Sequence, residues 1–163
     1  MIIRTGRLTL LPLEAAHAQE MATVLGDPEL HRYVGGAPLT EPELRTRYAR
    51  LAAGSPDPAV TWWNWVVRLD GAGRLVGTVQ ATVSGGVAEV AWVIGTPWQR
   101  RGIAAEAAAG PVGWLRTQAA VHAVIAHVHP DHTASAAVAR ASGLTPTDQR
   151  HDGEVRWEHP ERQ

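Results

Sequence analysis

Residues 88–106 decide the predicted fold, and they read Ala-Glu-Val-Ala-Trp-Val-Ile-Gly-Thr-Pro-Trp-Gln-Arg-Arg-Gly-Ile-Ala-Ala-Glu. The first part is rich in β-branched and aromatic residues, which predicts a strand over residues 87–94. The alanine-rich sequence that begins at Gly102 predicts a helix over residues 102–117. The stretch therefore predicts a strand that runs through a short loop into a helix.

The loop has the chemistry of an anion site. Consecutive backbone N–H groups at a helix N-terminus bind anions, and the helix dipole strengthens the site. Gly102 lets the backbone approach the anion closely and Ala104 keeps the surface small. Arg100 and Arg101 add positive charge that suits phosphates. A plainer interpretation, a helix start with two solvated arginines, stays open.

The rest of the chain alternates between strand and helix patterns, without repeats or linkers. Thr40 and Glu43 form a capping box at the start of one helix. Pro111 interrupts another and predicts a kink or two abutting helices. We expect a single mixed α/β domain over residues 1–163. Strands are predicted at 7–13, 62–69, 75–83, 87–94, 123–128, 145–150 and 154–158, and helices at 15–25, 40–53, 102–117 and 133–142.

Composition excludes several classes of protein. The 163 residues carry a formal net charge of −1 and contain no run of basic residues, which argues against nucleic-acid binding. The absence of cysteine excludes disulfides, thiolate nucleophiles and cysteine-based zinc sites. No apolar run of about 18 residues predicts a membrane span, and the start lacks the apolar core of a signal peptide. We expect a cytoplasmic protein that binds no membrane.

The sequence His127-Val-His129-Pro-Asp131-His132 matches a metal-binding pattern of metallo-β-lactamase-like hydrolases. His127 and His129 would share one face of an extended strand, so joint ligation is stereochemically feasible. Only about thirty residues follow, which leaves no room for the layered fold of such enzymes. We expect no bound metal, although a metal-dependent hydrolase remains an alternative.

Residues 99–104 resemble the Gln/Arg-x-x-Gly-x-Gly/Ala pyrophosphate motif of the GNAT acyltransferase superfamily. Three further segments, 27–36, 73–78 and 130–144, are similar in the same order to the ribosomal-protein N-acetyltransferase (RimJ/RimL-like) branch. The resemblance implies a GNAT-like fold, with a mixed, strongly twisted sheet of about six or seven strands and helices on both faces. The strands at 87–94 and 123–128 should splay apart to leave a cleft.

The resemblance also implies a co-substrate and its binding residues. It implies an acyl-CoA-dependent N-acyltransferase that moves an acetyl group from acetyl-CoA to a primary amine by direct attack. Backbone groups of Trp92, Val93 and Ile94 would pair with the pantetheine arm. His132 stands where the family has an asparagine that contacts this arm. The pyrophosphate would lie on the N–H groups of Arg100, Arg101, Gly102, Ile103 and Ala104, with Gln99 at the mouth of the loop.

Two residues are candidates for catalysis. Glu89 lies on the strand that faces the implied cleft and matches a glutamate that the family uses as general base. It could instead be an exposed glutamate paired with an arginine. Ser135 could protonate or hydrogen-bond the departing thiolate, or act only as a cap or packing residue of the following helix. The final helix region lacks the tyrosine that many family members use as general acid.

The acceptor is the least defined part of the prediction. Arg32, Tyr33 and residues 62–65 (Trp-Trp-Asn-Trp) are candidates for the acceptor side, although tryptophans at alternate strand positions commonly pack in the core. The acceptor is expected to be a protein N-terminus or a small-molecule amine, and a homodimer is an open option. A non-catalytic CoA-binding module remains a further alternative.

Overall fold

The computed structural model describes residues 1–33 and 35–159; residue 34, in the predicted 27–36 segment, and residues 160–163 lie outside the described residues. Within the described residues, the chain forms eight strands, four helices and three short 3-10 turns. The strands are β1 (Ile3–Arg4), β2 (Leu8–Pro12), β3 (Val60–Leu69), β4 (Arg74–Ser84), β5 (Val87–Ile94), β6 (Ala123–Val128), β7 (Thr145–His151) and β8 (Glu154–His159), and the helices are α1 (Ala18–Val24), α2 (Glu41–Ala52), α3 (Ile103–Arg116) and α4 (Thr133–Ala141).

The described strands form one mixed sheet in the order β1-β2-β3-β4-β5-β6-β8-β7. β5 and β6 are parallel and the other neighbours are antiparallel. The mixed α/β prediction is confirmed, but eight strands replace the predicted six or seven. The additional strand is the two-residue β1, which is too short to produce a periodic sequence pattern.

Helices cover both faces of the sheet, as predicted. A large apolar cluster joins α3 to β2–β6 and contains Ala107, Val112, Leu115, Val90 and Val124. A smaller cluster on the other face joins α1 and α2 to β3 and β4, with Met21, Tyr48 and Val66 among its members. Consecutive residues of a strand therefore pack into different apolar clusters, because successive side chains point to opposite faces of the sheet.

The helix α3 runs without interruption from Ile103 to Arg116. The expected alternative of two abutting helices is therefore wrong. Pro111 removes one helical hydrogen bond, at a cost of about 3 kcal/mol in a regular helix. Pro111 and its neighbours Ala107, Val112 and Leu115 are all buried, and the apolar contact they make offsets that cost.

The predicted helix over 15–25 begins as a 3-10 turn, Ala15–His17, before α1. Thr40 and Glu43 form the predicted capping box at the start of α2. None of the helices formed by the described residues has the length and hydrophobicity needed to cross a membrane.

Candidate active site

The parallel strands β5 and β6 pair only at their beginnings. Their ladder joins Val87 to Ala123 and ends where Glu89 faces Ile125. β5 continues for five more residues and β6 for three, with no further pairing between them. The sheet is therefore open between the second halves of these strands, which agrees with the splay implied by the resemblance.

The open edge of β5 carries unpaired backbone groups. Gly95 N–H donates to the Val76 carbonyl on β4 at 2.8 Å. Because backbone polar groups alternate in direction along an antiparallel strand, those of Trp92 and Ile94 point toward the opening and those of Val93 toward β4. The side chain of Gln99 closes one end of this edge, since its Nε2 donates to the Ile94 carbonyl at 2.9 Å.

The loop after β5 leads directly into the N-terminus of α3. Arg100 and Gly102 have positive φ angles of 64° and 74°. The backbone N–H groups of residues 100–105 have no hydrogen-bond partner within the described part of the chain. Neither Arg100 nor Arg101 pairs there with a carboxylate. The donor set expected of an anion site is therefore present and unoccupied by protein groups.

A network that the sequence did not reveal anchors this loop. Arg7 donates from Nε to Glu106 Oε1 and from NH1 to the Arg101 carbonyl, both at 2.9 Å. Thr5 Oγ1 also donates to Glu106. Burial alone would raise the pKa of Glu106, but the hydrogen bonds from Thr5 and Arg7 outweigh burial and lower it. Glu106 is an acidic residue in the first turn of a helix, yet no local signal links it to Arg7, 99 positions away.

His132 caps α4 instead of a serine, threonine or aspartate. Its Nδ1 accepts from the Ser135 N–H at 3.3 Å, so the proton of the neutral ring lies on Nε2. Burial, and then the charge of His129, lower the pKa of His132 and favour this neutral form. The Ser135 hydroxyl has no hydrogen-bond partner among the described residues.

Tyr33 links the segment after α1 to this cap. Its ring stacks on His132 with centroids 4.4 Å apart, and its hydroxyl donates to the Asp131 carbonyl at 3.4 Å. The guanidinium of Arg32 lies 5.4 Å from the centre of the Tyr33 ring. Arg32 and Tyr33 therefore lie beside the loop between β6 and α4.

Glu89 lies at the point where the β5–β6 ladder ends. His127 Nδ1–H donates to Glu89 Oε1, because a carboxylate only accepts. The His127 side chain is 13% exposed and that of Glu89 is 47% exposed. Glu89 Oε2 has no partner within the described residues and remains open to solvent.

The four residues of the metal-binding pattern do not converge. His127 binds Glu89, His129 Nδ1 accepts from the Asp131 N–H, and His132 caps α4. Across residues 1–33 and 35–159, no group of three or more histidine and acidic side chains could hold a metal ion. The hydrolase alternative therefore gains no support from the structure.

The tryptophan-rich segment of β3 divides between the two faces. Trp63 and Trp65 pack with Trp114 of α3, with ring centroids 4.8 and 6.0 Å from that of Trp114. Trp62 and Asn64 lie on the opposite face with Glu89. Only Trp62 and Asn64 of this segment therefore remain candidates for the predicted acceptor side.

Residues 7–145 match the sequence profile described as the Acetyltransferase (GNAT) domain. No protein of curated function matches the chain significantly. Many solved structures share the fold. A GNAT-family acetyltransferase from Bacillus anthracis has 22% identity and a TM-score of 0.79, and covers 97% of this chain and 94% of its own.

Two other similar structures contain bound ligands. RimL, a ribosomal L7/L12 alpha-N-protein acetyltransferase in complex with coenzyme A, has 14% identity and a TM-score of 0.81, and the match covers 98% of each chain. The acetyltransferase AAC(6')-Ib, in complex with paromomycin and acetyl-CoA, has 16% identity and a TM-score of 0.77, covering 96% of this chain and 94% of its own. At these identities the likeness shows the fold, and the profile match over residues 7–145 shows the family. This chain belongs to the GNAT family of acetyltransferases.

Proposed function

We propose that this acetyltransferase moves the acetyl group of acetyl-CoA to a primary amine, with Glu89 as the general base. The observation that carries this proposal is the position of Glu89 at the end of the β5–β6 ladder. His127 holds one carboxylate oxygen, which leaves Oε2 free to accept a proton. The site thus combines a positioned base with an opening in the sheet.

The donor set of the loop fits the diphosphate of coenzyme A. Six consecutive N–H groups, at residues 100–105, lie at the positive end of the α3 dipole. Arg100 and Arg101 can neutralise the remaining charge. The unpaired backbone groups of Trp92 and the unpaired N–H of Ile94 suit the amide groups of a pantetheine arm. The Nε2–H of His132 is available as a further donor.

When bound, acetyl-CoA supplies an activated thioester. The residues around it must deprotonate the acceptor, because an ammonium group has no lone pair for attack. The ordinary pKa is about 8 for a chain terminus and about 10.4 for a lysine, so most of either amine is protonated at pH 7. Glu89 Oε2 can take that proton directly or through one water.

Ser135 is proposed to stabilise the leaving sulfur. Its hydroxyl is half-buried near the start of α4, and its backbone N–H is already occupied by His132. The hydroxyl is therefore free to donate to a thiolate. Since a thiolate leaves readily, loss of Ser135 should reduce turnover less than loss of Glu89.

The acceptor class remains a proposal. The fold is shared by an alpha-N-protein acetyltransferase and by an enzyme crystallised with an aminoglycoside, so protein N-termini and small-molecule amines are both compatible with it. The assignment of residues 1–163 to one domain, the cytoplasmic location and a homodimer stay predictions from the sequence.

A turnover screen tests the proposed function. Purified protein with acetyl-CoA should release thiol when supplied with an amine from the correct class, among peptide N-termini, amino acids, polyamines and aminoglycosides. CoA at 100 times its dissociation constant should also stabilise the fold by about 2.7 kcal/mol. CoA binding without thiol release for any amine would favour the non-catalytic module instead.

The variant Glu89→Gln tests the mechanism, because it keeps the shape of the side chain and removes the proton acceptor. Turnover at neutral pH should fall by roughly 10²–10⁴-fold, while the KM for acetyl-CoA should barely change. The deficit should shrink at high pH, where the amine is already deprotonated. Glu158→Gln, on the same face of β8, is the matched control and should retain turnover. Unchanged turnover in Glu89→Gln would remove Glu89 from the mechanism.

A further inference from the structure

A groove lies between α2 and the face of the sheet that carries Glu89. It has a volume of about 190 Å³, and we call it the α2 groove. Its lining residues are Arg47, Leu51, Trp62, Asn64, Gln80, Ala81 and Thr82.

The α2 groove adjoins the proposed base. Thr82 on β4 lies directly opposite Glu89 on β5 and directly opposite Trp62 on β3. Side chains opposite each other across a ladder have Cβ atoms about 5 Å apart. A ligand in the α2 groove can therefore place one end beside the carboxylate of Glu89.

Polar side chains in the α2 groove have unused hydrogen-bonding capacity. Within the described part of the chain, no hydrogen bond or ion pair is formed by the side chains of Arg47, Trp62, Asn64, Gln80 or Thr82. Ligand pockets fix the orientation of their ligands with a small number of polar groups, and these side chains are free to supply them.

The charge in the α2 groove is positive. Arg47 is charged and no carboxylate lines the groove. The carboxylate of Glu41, on the same helix, pairs with Arg45 at 3.1 Å and not with Arg47. A polyamine or an aminoglycoside would place extra positive charge near Arg47, whereas a carboxylate could accept hydrogen bonds from it.

The volume of the α2 groove restricts the size of its occupant. Pockets for drug-sized ligands usually have roughly 300–1,000 Å³, so about 190 Å³ suits only the amine-bearing end of a larger acceptor or a small amino acid. Leu51 and the Trp62 ring supply an apolar wall for the carbon atoms of that end.

We infer that the acceptor is a primary amine with a carboxylate a few atoms from its nitrogen, and that Arg47 binds this carboxylate while the amine faces Glu89. The inference rests on the proposed function, since it places the acceptor at the proposed base. Two sources share this chemistry: a free amino acid and a peptide whose second residue is acidic.

The test compares matched acceptors on the full chain with acetyl-CoA. The peptide arm uses Ala-Glu-amide, Ala-Gln-amide and Ala-Lys-amide, and the other arm compares a free amino acid with its α-amide. In at least one arm, kcat/KM should be about tenfold higher for the carboxylate than for the neutral amide, as expected for a hydrogen-bonded charge pair. The arm with the larger ratio identifies the source, and equal values in both arms or a preference for lysine would overturn the inference.

Variants show whether Arg47 causes the preference. Arg47→Gln should remove the advantage of the acidic acceptor, and Arg47→Glu should reverse it toward Ala-Lys-amide. Arg50→Gln removes the same charge from the same helix outside the α2 groove and should preserve the wild-type ratio. A preference that survives both Arg47 variants would also overturn the inference.

Failure of the proposed function gives a different result. If no amine releases thiol, the same acceptors can be titrated calorimetrically into the CoA-saturated protein. Tighter binding of the carboxylate acceptors that depends on Arg47 would then support the inference without turnover. Equal affinities for the acid and its amide would contradict it.

Discussion

The loop before α3 and the α2 groove offer different kinds of chemical group to a ligand. The proposed diphosphate loop at residues 100–105 presents backbone N–H groups, whereas the α2 groove presents side chains from a helix and two strands. The loop is held by hydrogen bonds from Arg7, Thr5 and Gln99, while the polar side chains of the groove have no partners among the described residues. The loop is thus held by hydrogen bonds within the protein, whereas the polar side chains of the groove are free to bind a ligand.

The difference predicts that the loop is sensitive to backbone changes and the groove to side-chain chemistry. The largest expected effect is that of Gly102→Val. A β-branched residue is strained at a φ of 74°, by about 1–3 kcal/mol, and it would displace the N–H groups that are proposed to bind the diphosphate. CoA affinity should fall at least about 100-fold in a calorimetric titration.

Gly73→Val is the matched control for Gly102→Val. Gly73 has a φ of 64° in the β3–β4 turn, and a Cβ there would meet no atom within 4 Å. The same strain should reduce stability and leave CoA binding unchanged. If both variants bind CoA like the parent, the loop is not the diphosphate site.

Glu106→Gln should have the next largest effect. The carboxylate accepts from Thr5 and Arg7, and its loss should reduce the free energy of unfolding by about 1–2 kcal/mol at pH 7. Because folding lowers the pKa of Glu106, this stabilisation is present above the unfolded pKa and is lost as pH falls through the folded value. Urea unfolding from pH 7 to 3 measures both effects.

The control for Glu106→Gln is Glu41→Gln, which breaks the exposed pair with Arg45 on α2. That pair should contribute only about 0–0.5 kcal/mol. Equal losses in the two variants would show that the network around Glu106 anchors nothing beyond an ordinary surface pair.

A smaller effect on stability is expected from His132→Asn. Asparagine keeps a side-chain acceptor for the α4 cap but has no titratable ring. Folding lowers the pKa of His132, so the unfolded chain binds a proton more readily. Stability should therefore decline as pH falls below about 6.5 in the parent, and decline less in the variant. Identical pH slopes of the free energy of urea unfolding in the parent and the variant would contradict a contribution from His132.

The smallest effect is expected at Tyr48, under α2. Its buried hydroxyl has no partner among the described residues, and burial raises its pKa to about 12, with Arg47 acting in the opposite direction. Since the folded state gains no hydrogen bond from this hydroxyl, Tyr48→Phe should change stability by less than about 0.5 kcal/mol or increase it. A loss above about 1.5 kcal/mol in thermal unfolding would reveal a missed partner.

The same contrast explains what the sequence could predict. The donors of the loop come from consecutive residues, so a local motif identifies them and the strand before them. Glu89 could be named as a candidate base because it matches a glutamate of the family, but no sequence feature identified His127 as its hydrogen-bond partner. The pairing depends on the register between β5 and β6, which no local pattern encodes.

No local sequence pattern predicts the α2 groove. Arg47 lies on α2 and Gln80 lies on β4, and only the folded structure brings these two residues together. Trp62 and Trp63 are adjacent in sequence but lie on opposite faces, so only Trp62 and Asn64 of segment 62–65 share the face that carries Glu89. Arg7 was missed for the same reason, because it reaches the loop from the other end of the chain.

The structure of the complex with CoA tests the central claim most directly. We predict that the diphosphate oxygens accept hydrogen bonds from N–H groups within residues 100–105, that the pantetheine arm lies in the opening between β5 and β6, and that the thiol points toward Glu89 and Ser135. A diphosphate bound elsewhere on the chain, or a thiol remote from Glu89, would contradict the assignment of both the loop and the base.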